Sequence, residues 1–277
     1  MRVALLPSGE SVSALGLGTW MIGDHADRRT DEIAALNLGL DLGMTVVDTA
    51  EMYGNGAAEK LIARAVGHRR GEMFLVSKVL PQHATRAGTV AACHASLKRL
   101  NTGHLDLYLL HWRGSVPLED TLAGFDELTR AGKIRHWGVS NFDVDDMEEL
   151  IGLAGGTHVQ TNQVLYNLSR RGIEFDLMPW SRAHRMPIMA YSPIEQGRLL
   201  KNARLKSIAT RHHATPAQIA LSWVLRQEGV IAIPKSGTPD HVRENGAAVD
   251  ITLTPQDLAD LDGAFRPPRK KVALELL

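Results

Sequence analysis

Eight short apolar runs, each separated from the next by a stretch with helical character, constrain this chain more than any other feature. They cover residues 15–20, 45–49, 73–79, 105–112, 134–140, 158–164, 188–192 and 230–234. Runs such as LDLYLLHW are apolar on both faces, the pattern of parallel strands covered by helices on each side. A repeating βα unit with doubly covered strands leaves an open doubly wound sheet or a closed barrel. Eight units favour the barrel. The open alternative usually carries G-x-G-x-x-G after its first strand, and here Gly16 and Gly18 are followed by Met21 in the third glycine's place. The expectation is an α/β protein, a (β/α)8 TIM barrel formed as a single domain by residues 1–277. An N-terminal β-hairpin, Val3 to Leu6 and back through Val12, precedes it.

Helix boundaries are written in cap chemistry. Thr30, Asp31 and Glu32 open a helix that Gly43 closes, and further helices are predicted over 57–66, 85–100 and 118–130. Asp143 is placed to cap a helix through Leu150. Thr215, Pro216 and Gln218 combine an N-cap, a proline at the first helical position and a partial capping box; Thr254 and Pro255 repeat the device. No element is assigned to the tail, RPPRKKVALELL.

Lys plus Arg (31) balances Asp plus Glu (31), so nothing draws the molecule to nucleic acid or an anionic membrane. A small-molecule partner is expected instead. Cys93 is the only cysteine, which excludes an intrachain disulfide and suits a reducing, cytoplasmic compartment. The N-terminal apolar segment is too short for a signal peptide, and no run approaches the roughly eighteen apolar residues of a membrane helix. No two histidines stand at i, i+4, so no helical metal site is expected. The pair Arg170 and Arg171 reads as solvated surface.

The apolar runs end in polar residues, and in a barrel such ends converge on one mouth. Asp48, Lys78 and His111 close the second, third and fourth runs, and Tyr53 follows Asp48 by one short loop. Taken singly, each has an ordinary reading as cap, packing residue or surface charge. Together they form a proton-delivery device. A free phenol, with a pKa near 10, is too weak an acid to protonate a developing alkoxide efficiently. A buried cation beside it lowers that value, and a carboxylate keeps the cation charged. Asp48 is therefore expected to pair with Lys78, Lys78 to tune Tyr53, and His111 to orient the substrate oxygen by a hydrogen bond. Proton transfer alone reduces no carbonyl, so a nicotinamide cofactor is implied. Trp20 and Trp112, also at strand exits, are expected to wall the substrate pocket with Tyr53, an enclosure suited to a small or apolar aldehyde.

The ordered segments GMTVVDTAEMYGNG, LVSKV, LYLLHW, KIRHWGVSNF, TNQVLYN, AYSPIEQGRL and IPKSGTPDHVREN carry a resemblance to the aldo-keto reductases that covers essentially the whole chain. By that resemblance Tyr53 is the general acid, Lys78 and Asp48 support it, and His111 orients the carbonyl. Ser140, Asn141 and Gln163 match contacts to the nicotinamide carboxamide, and Tyr191 matches the aromatic that stacks on its ring. The segment 192–199, beginning at Ser192, resembles the loop over the pyrophosphate. Lys235 and Ser236 match contacts to the 2'-phosphate of NADPH, and Glu244 and Asn245 those at adenine. His241 stands where many members have arginine, so NADPH is implied, with NADH also usable. Further departures are Arg113 and Gly114 after Trp112, Gly56 after Asn55, and Tyr166 with Asn167; they bear on substrate choice rather than reaction type. The implied activity is NADPH-dependent reduction of small aldehydes or α-ketoaldehydes such as methylglyoxal, by a monomer or small homo-oligomer. The alternative is a redox-sensing, NADPH-binding regulatory subunit on the same fold.

Overall fold

The computed structural model describes residues 1–277. The chain opens with an antiparallel hairpin, β1 (Val3–Leu5) and β2 (Ser11–Ser13), in which Leu5 pairs with Ser11. Then follow β3 (Leu17–Gly18), α1 (Arg29–Asp41), β4 (Val46–Asp48), α2 (Ala57–Val66), β5 (Phe74–Val79), α3 (Arg86–Leu100), β6 (Leu105–Leu110) and α4 (Leu118–Arg130). The second half contains β7 (Ile134–Ser140), α5 (Val144–Gly152), β8 (Asn162–Leu165), α6 (Leu177–Ala183), β9 (Ile188–Tyr191), α7 (Ala203–Arg211), α8 (Pro216–Leu225), β10 (Val230–Ala232), α9 (Pro239–Ala247) and α10 (Pro255–Ala264).

Strands β3 to β10 pair in sequence order, all parallel. Bridges from Leu15 to Ala232 and from Gly18 to Lys235 bring the last strand back to the first. The backbone N–H of Gly16 donates to Ala232 at 2.8 Å, and that of Gly18 to Pro234 at 3.0 Å. Gly18 lets the closing strand approach, and Gly16 lets β4 approach from the other side. A Cβ on Gly18 would lie 2.6 Å from the Ile233 carbonyl oxygen, and one on Gly16 2.6 Å from that of Val46. Glycines that fail the dinucleotide fingerprint thus let β3 pack closely against both of its neighbours in the (β/α)8 barrel.

Two apolar layers result. The larger lies between sheet and helices and includes Tyr108, Phe125, Phe142 and Trp223. The smaller fills the barrel with Val46, Phe74, Val76, Leu107, Leu109, Met189, Ile231 and Ile233, and the hairpin residues Ala4, Leu6 and Val12 belong to the same cluster. A strand repeats its facing every two residues, so the inward series continues upward into polar groups. Val46 leads to Asp48, Val76 to Lys78, Leu109 to His111, Met189 to Tyr191 and Ile233 to Lys235.

The caps form as expected: Asp143 with Asp146, Thr215 with Gln218 and Thr254 with Asp257 each close a reciprocal capping box. The sixth predicted strand begins later than expected, because residues Gly156–His158 form a 3-10 turn. Helices α6, α7 and α9 lie outside the helices expected from the sequence, although the Asn202 side chain accepts from the backbone of Arg204 and Leu205 to start α7. The tail carries no regular element, and Leu274 packs on the outer core. Arg170 bridges Glu195 and Glu275, and Arg171 is buried against Glu174 and Asp262. The surface reading of this pair is thereby corrected: both arginines tie segments distant in sequence.

Candidate active site

Lys78 is fully buried, and all three of its N–H groups have acceptors. They reach Oδ2 of Asp48 at 2.8 Å, the carbonyl of Thr49 at 2.8 Å and the phenol oxygen of Tyr53 at 3.1 Å. The ammonium also lies 4.8 Å from the centre of the Tyr53 ring. Burial works against the charge on Lys78, but Asp48 and Tyr53 outweigh it and hold the group above its ordinary range. Because the Tyr53 oxygen accepts from Lys78, its own proton is free to turn toward the mouth.

From the sequence, Lys78 is expected to lower the pKa of Tyr53. Burial is the stronger effect and raises it; Lys78 opposes that rise without cancelling it. The phenol therefore stays protonated across the neutral range, as a proton donor must. His111 sits beside it, with ring centres 5.9 Å apart in an edge-on arrangement. Burial first, and the Lys78 charge second, push the imidazole down to about 2, so it is neutral at working pH. Its Nδ1 is buried without a partner. A lone pair is cheaper to enclose there than an orphaned N–H, which favours the proton on Nε2, where it can be donated.

Tyr53 owes its position to the loop after β4. Gly54, Asn55 and Gly56 all have positive φ (55°, 51° and 86°), and a Cβ on Gly56 would meet Arg99 Cδ at 2.5 Å. Arg99 is drawn there by the buried carboxylate of Glu59, which also accepts from Ser77 Oγ at 2.8 Å. The departure at Gly56 therefore makes room for a buried ion pair. On the other side Glu51 accepts from the Leu80 N–H at 2.7 Å and contacts His83 Nδ1 at 3.0 Å, joining this loop to the exit of β5. Neither clamp was read from the sequence; both depend on partners at least eighteen residues away.

Trp20 (44% exposed), Met21 and Met52 are exposed in the loops that follow β3 and β4. Trp112 tilts against His111 at 4.9 Å between ring centres. Arg113 does not face the pocket as a free cation. It makes a two-pronged pair with Glu149, 2.7 Å on each arm, and reaches Asp146 at 2.9 Å. Tyr166 and Asn167 are both engaged inside the protein. Tyr166 is buried on Trp223, and Asn167 donates to the Ser192 carbonyl at 2.9 Å and to Glu195 at 2.7 Å.

The residues matched to the nicotinamide carboxamide form a connected web. Ser140 Oγ donates to the Gln163 carbonyl at 2.8 Å. Asn141 Nδ2 donates to the His111 carbonyl and to Ser140 Oγ, each at 3.1 Å, and its Oδ1 accepts from the Tyr191 hydroxyl at 3.1 Å. Gln163 Nε2 lies 2.7 Å from Asp48 Oδ1. Beyond Tyr191 the chain turns through positive φ at Ser192, Glu195, Gln196 and Gly197, held by the buried Glu195 carboxylate. At the other edge Lys235 is exposed and enters no ion pair, while nearby Arg243 is tied to Asp240. Ser236 Oγ donates to the Thr238 carbonyl at 3.2 Å; Glu244 is half-buried, its carbonyl accepting from Gln218 at 3.1 Å. Asn245 is buried with its side-chain amide unpaired inside the protein, and His241 is exposed on α9. An unpaired ammonium, a hydroxyl and a free amide along one edge fit a phosphorylated nucleotide.

Residues 14–266 match the sequence model of the Aldo/keto reductase family. The chain belongs to that family. It is 50% identical over 272 residues to Methylglyoxal reductase YeaE of Escherichia coli (strain K12), covering 96% of both chains. It is 33% identical to the Glyoxal reductase of Bacillus subtilis (strain 168), covering 95% of this chain and 93% of that one. Among solved structures, an aldo/keto reductase from Klebsiella pneumoniae in complex with NADP and acetate superposes with a TM-score of 0.97 at 47% identity. That match spans 100% of this chain and 99% of the other.

Proposed function

We propose that this aldo/keto reductase uses NADPH to reduce small, uncharged aldehydes and α-ketoaldehydes, methylglyoxal among them, to alcohols. One observation carries the reading: Lys78 has all three N–H groups committed, so Tyr53 accepts from it and presents its proton outward. A bound nicotinamide supplies the hydride. The chain's own residues do the rest. Tyr53 gives its proton to the carbonyl oxygen as negative charge develops there, and neutral His111 donates a second hydrogen bond to the same atom. Asp48 and Lys78 hold the phenol in place. Trp20 and Trp112 wall the pocket, and with Arg113 paired to two carboxylates no cation beside Trp112 is left to attract an anionic substrate. Lys235 and Ser236 would hold the 2'-phosphate, His241, Glu244 and Asn245 would surround the adenine, and Tyr191 would offer its ring face to the nicotinamide.

Two relatives named for methylglyoxal and glyoxal reduction support the substrate class, and the structure solved with NADP supports the cofactor. The regulatory-subunit alternative is not favoured, since the acid and its supports are assembled in working order. We place the protein in the cytoplasm, as a monomer or small homo-oligomer acting on a small molecule without nucleic acid or membrane. No helix is long and apolar enough to cross a bilayer. The test is NADPH consumption with methylglyoxal and with the anionic analogue glyoxylate, for wild type and Tyr53→Phe. Turnover of methylglyoxal well above glyoxylate, lost in the variant, is the expected outcome. Equal rates in wild type and variant would sink the proton-donor assignment.

A further inference from the structure

One buried amide beside the acid makes a contact that proton donation does not itself use. Gln163 sits on β8 between Ser140 of β7 and Met189 of β9. Its side chain crosses the barrel interior to Asp48, a residue 115 positions away in sequence. Nε2 stands 2.7 Å from Asp48 Oδ1 and 2.8 Å from Met189 Sδ. A carboxylate only accepts, so the nitrogen of the amide must face it.

Asp48 is consequently held on both oxygens, by Lys78 on Oδ2 at 2.8 Å and by Gln163 on Oδ1. The distinction matters because the terminal torsion of an aspartate is soft. A carboxylate anchored through one oxygen can swing about that torsion and carry its lysine partner with it. Anchored through both, it becomes a fixed reference for the Lys78 ammonium, whose other two N–H groups then point to the Thr49 carbonyl and to Tyr53.

The geometry points to Gln163 as a positioning residue for the proton donor: by fixing the second oxygen of Asp48, it sets the direction of the Lys78 N–H that reaches Tyr53. This role goes beyond the carboxamide contact implied by the family resemblance and needs no bound cofactor. It rests on the reading of Tyr53 as the acid.

The decisive variant is Gln163→Met, similar in volume and without a donor, with Gln163→Leu as a second choice should the first fail to fold. The chain has only four tyrosines, so carbon-13 labelling of the phenol Cζ gives four resonances, and Tyr53→Phe identifies that of Tyr53. In cofactor-free protein at neutral pH, Gln163→Met is expected to move the Tyr53 resonance while leaving those of Tyr108 and Tyr166 in place. With NADPH and methylglyoxal, kcat should fall about tenfold or more, the scale expected when a catalytic group is misplaced. NADPH affinity, read by fluorescence titration, should change less than kcat. In an Asp48→Asn background the same substitution should move the Tyr53 resonance little further, because its effect runs through that carboxylate. An unmoved Tyr53 resonance with weakened NADPH binding would overturn the inference and leave Gln163 a cofactor contact alone. Additive effects of the two substitutions would overturn it as well. Should Tyr53→Phe keep full turnover, the acid assignment fails on its own, and the resonance shift still reports whether Gln163 acts on Tyr53 through Asp48.

Discussion

The mouth of this barrel has two ends that are built in opposite ways. Around Asp48, Lys78 and Tyr53 all three ammonium protons have acceptors before any ligand arrives and only the phenol proton is left free, and Lys78 is 0% exposed. Along the edge from Lys235 to Asn245, the ammonium of Lys235 and the amide of Asn245 have no partner in the protein. The contrast separates two tasks. Stabilising charge that develops during a reaction requires dipoles that need not move, which suits the wiring around the proposed acid. Binding gains from groups whose best partner is the ligand, which suits an open edge proposed to take the nucleotide.

Substitutions at the two ends should therefore fail differently. At the wired end, Tyr53→Phe should lower kcat by roughly 10³-fold, about 4 kcal/mol, with little change in melting temperature. Steady-state kinetics and a thermal melt on one preparation check both halves. Lys78→Met should cost about 3–5 kcal/mol of folding stability, because it strands the Asp48 carboxylate in the barrel. Denaturant unfolding reads this, and a loss below about 1 kcal/mol, as for an exposed pair, would show that the pair is not desolvated as described. At the open end, Lys235→Met should leave the melt unchanged and weaken NADPH by roughly ten- to a hundredfold, about 1.5–3 kcal/mol for a charged hydrogen bond. NADH, without the phosphate, should bind as before.

A subtler contrast concerns protons. His111 is held at about 2 when folded, below an unfolded value near 6.5. Between those values the unfolded chain takes up a proton that the folded chain refuses, so this residue subtracts stability as pH falls below 6.5 and nothing above it. His111→Phe should flatten the loss of stability between pH 6.5 and 4, measured by unfolding at several pH values. Asp257 is shifted in the same direction and acts over a lower pH range. It accepts from Arg211, His212 and Thr254, which hold its carboxyl below the usual carboxylate range despite burial. It therefore adds stability that is present above an unfolded value of about 3.9 and is lost as acid protonates it. The smallest expected effect is at Cys93. Burial first, and Glu59 second, push this thiol up to about 12, so it should react with thiol reagents far more slowly than a free cysteine at pH 8.

Much of the site was legible because the barrel turns a local pattern into a place. Inward facing repeats every two residues, so Asp48, Lys78 and His111 could be assigned to one mouth from their positions at strand ends. Caps were equally readable: Asp143, Thr215 and Thr254 act on backbone groups three residues away. Long-range partnership left no such trace. Arg171 reads as surface until Asp262 and Glu174 enclose it, and nothing near Gln163 marks it as a partner of Asp48. The sign of the shift at Tyr53 was missed for the same reason, since it depends on how much protein surrounds the ring.

By itself, then, the sequence determined the number of βα units, the caps that end them and the chemical types presented at the strand exits. These depend on spacing within a few residues, which sterics and hydrogen bonding translate directly into local structure. Only the tertiary structure decided that Lys78 has all its donors paired, that Gln163 reaches Asp48, that Arg113 is neutralised by α5 and that Lys235 stands alone. Those outcomes are set by distances and burial between strands and loops far apart in the chain, and no local rule encodes them.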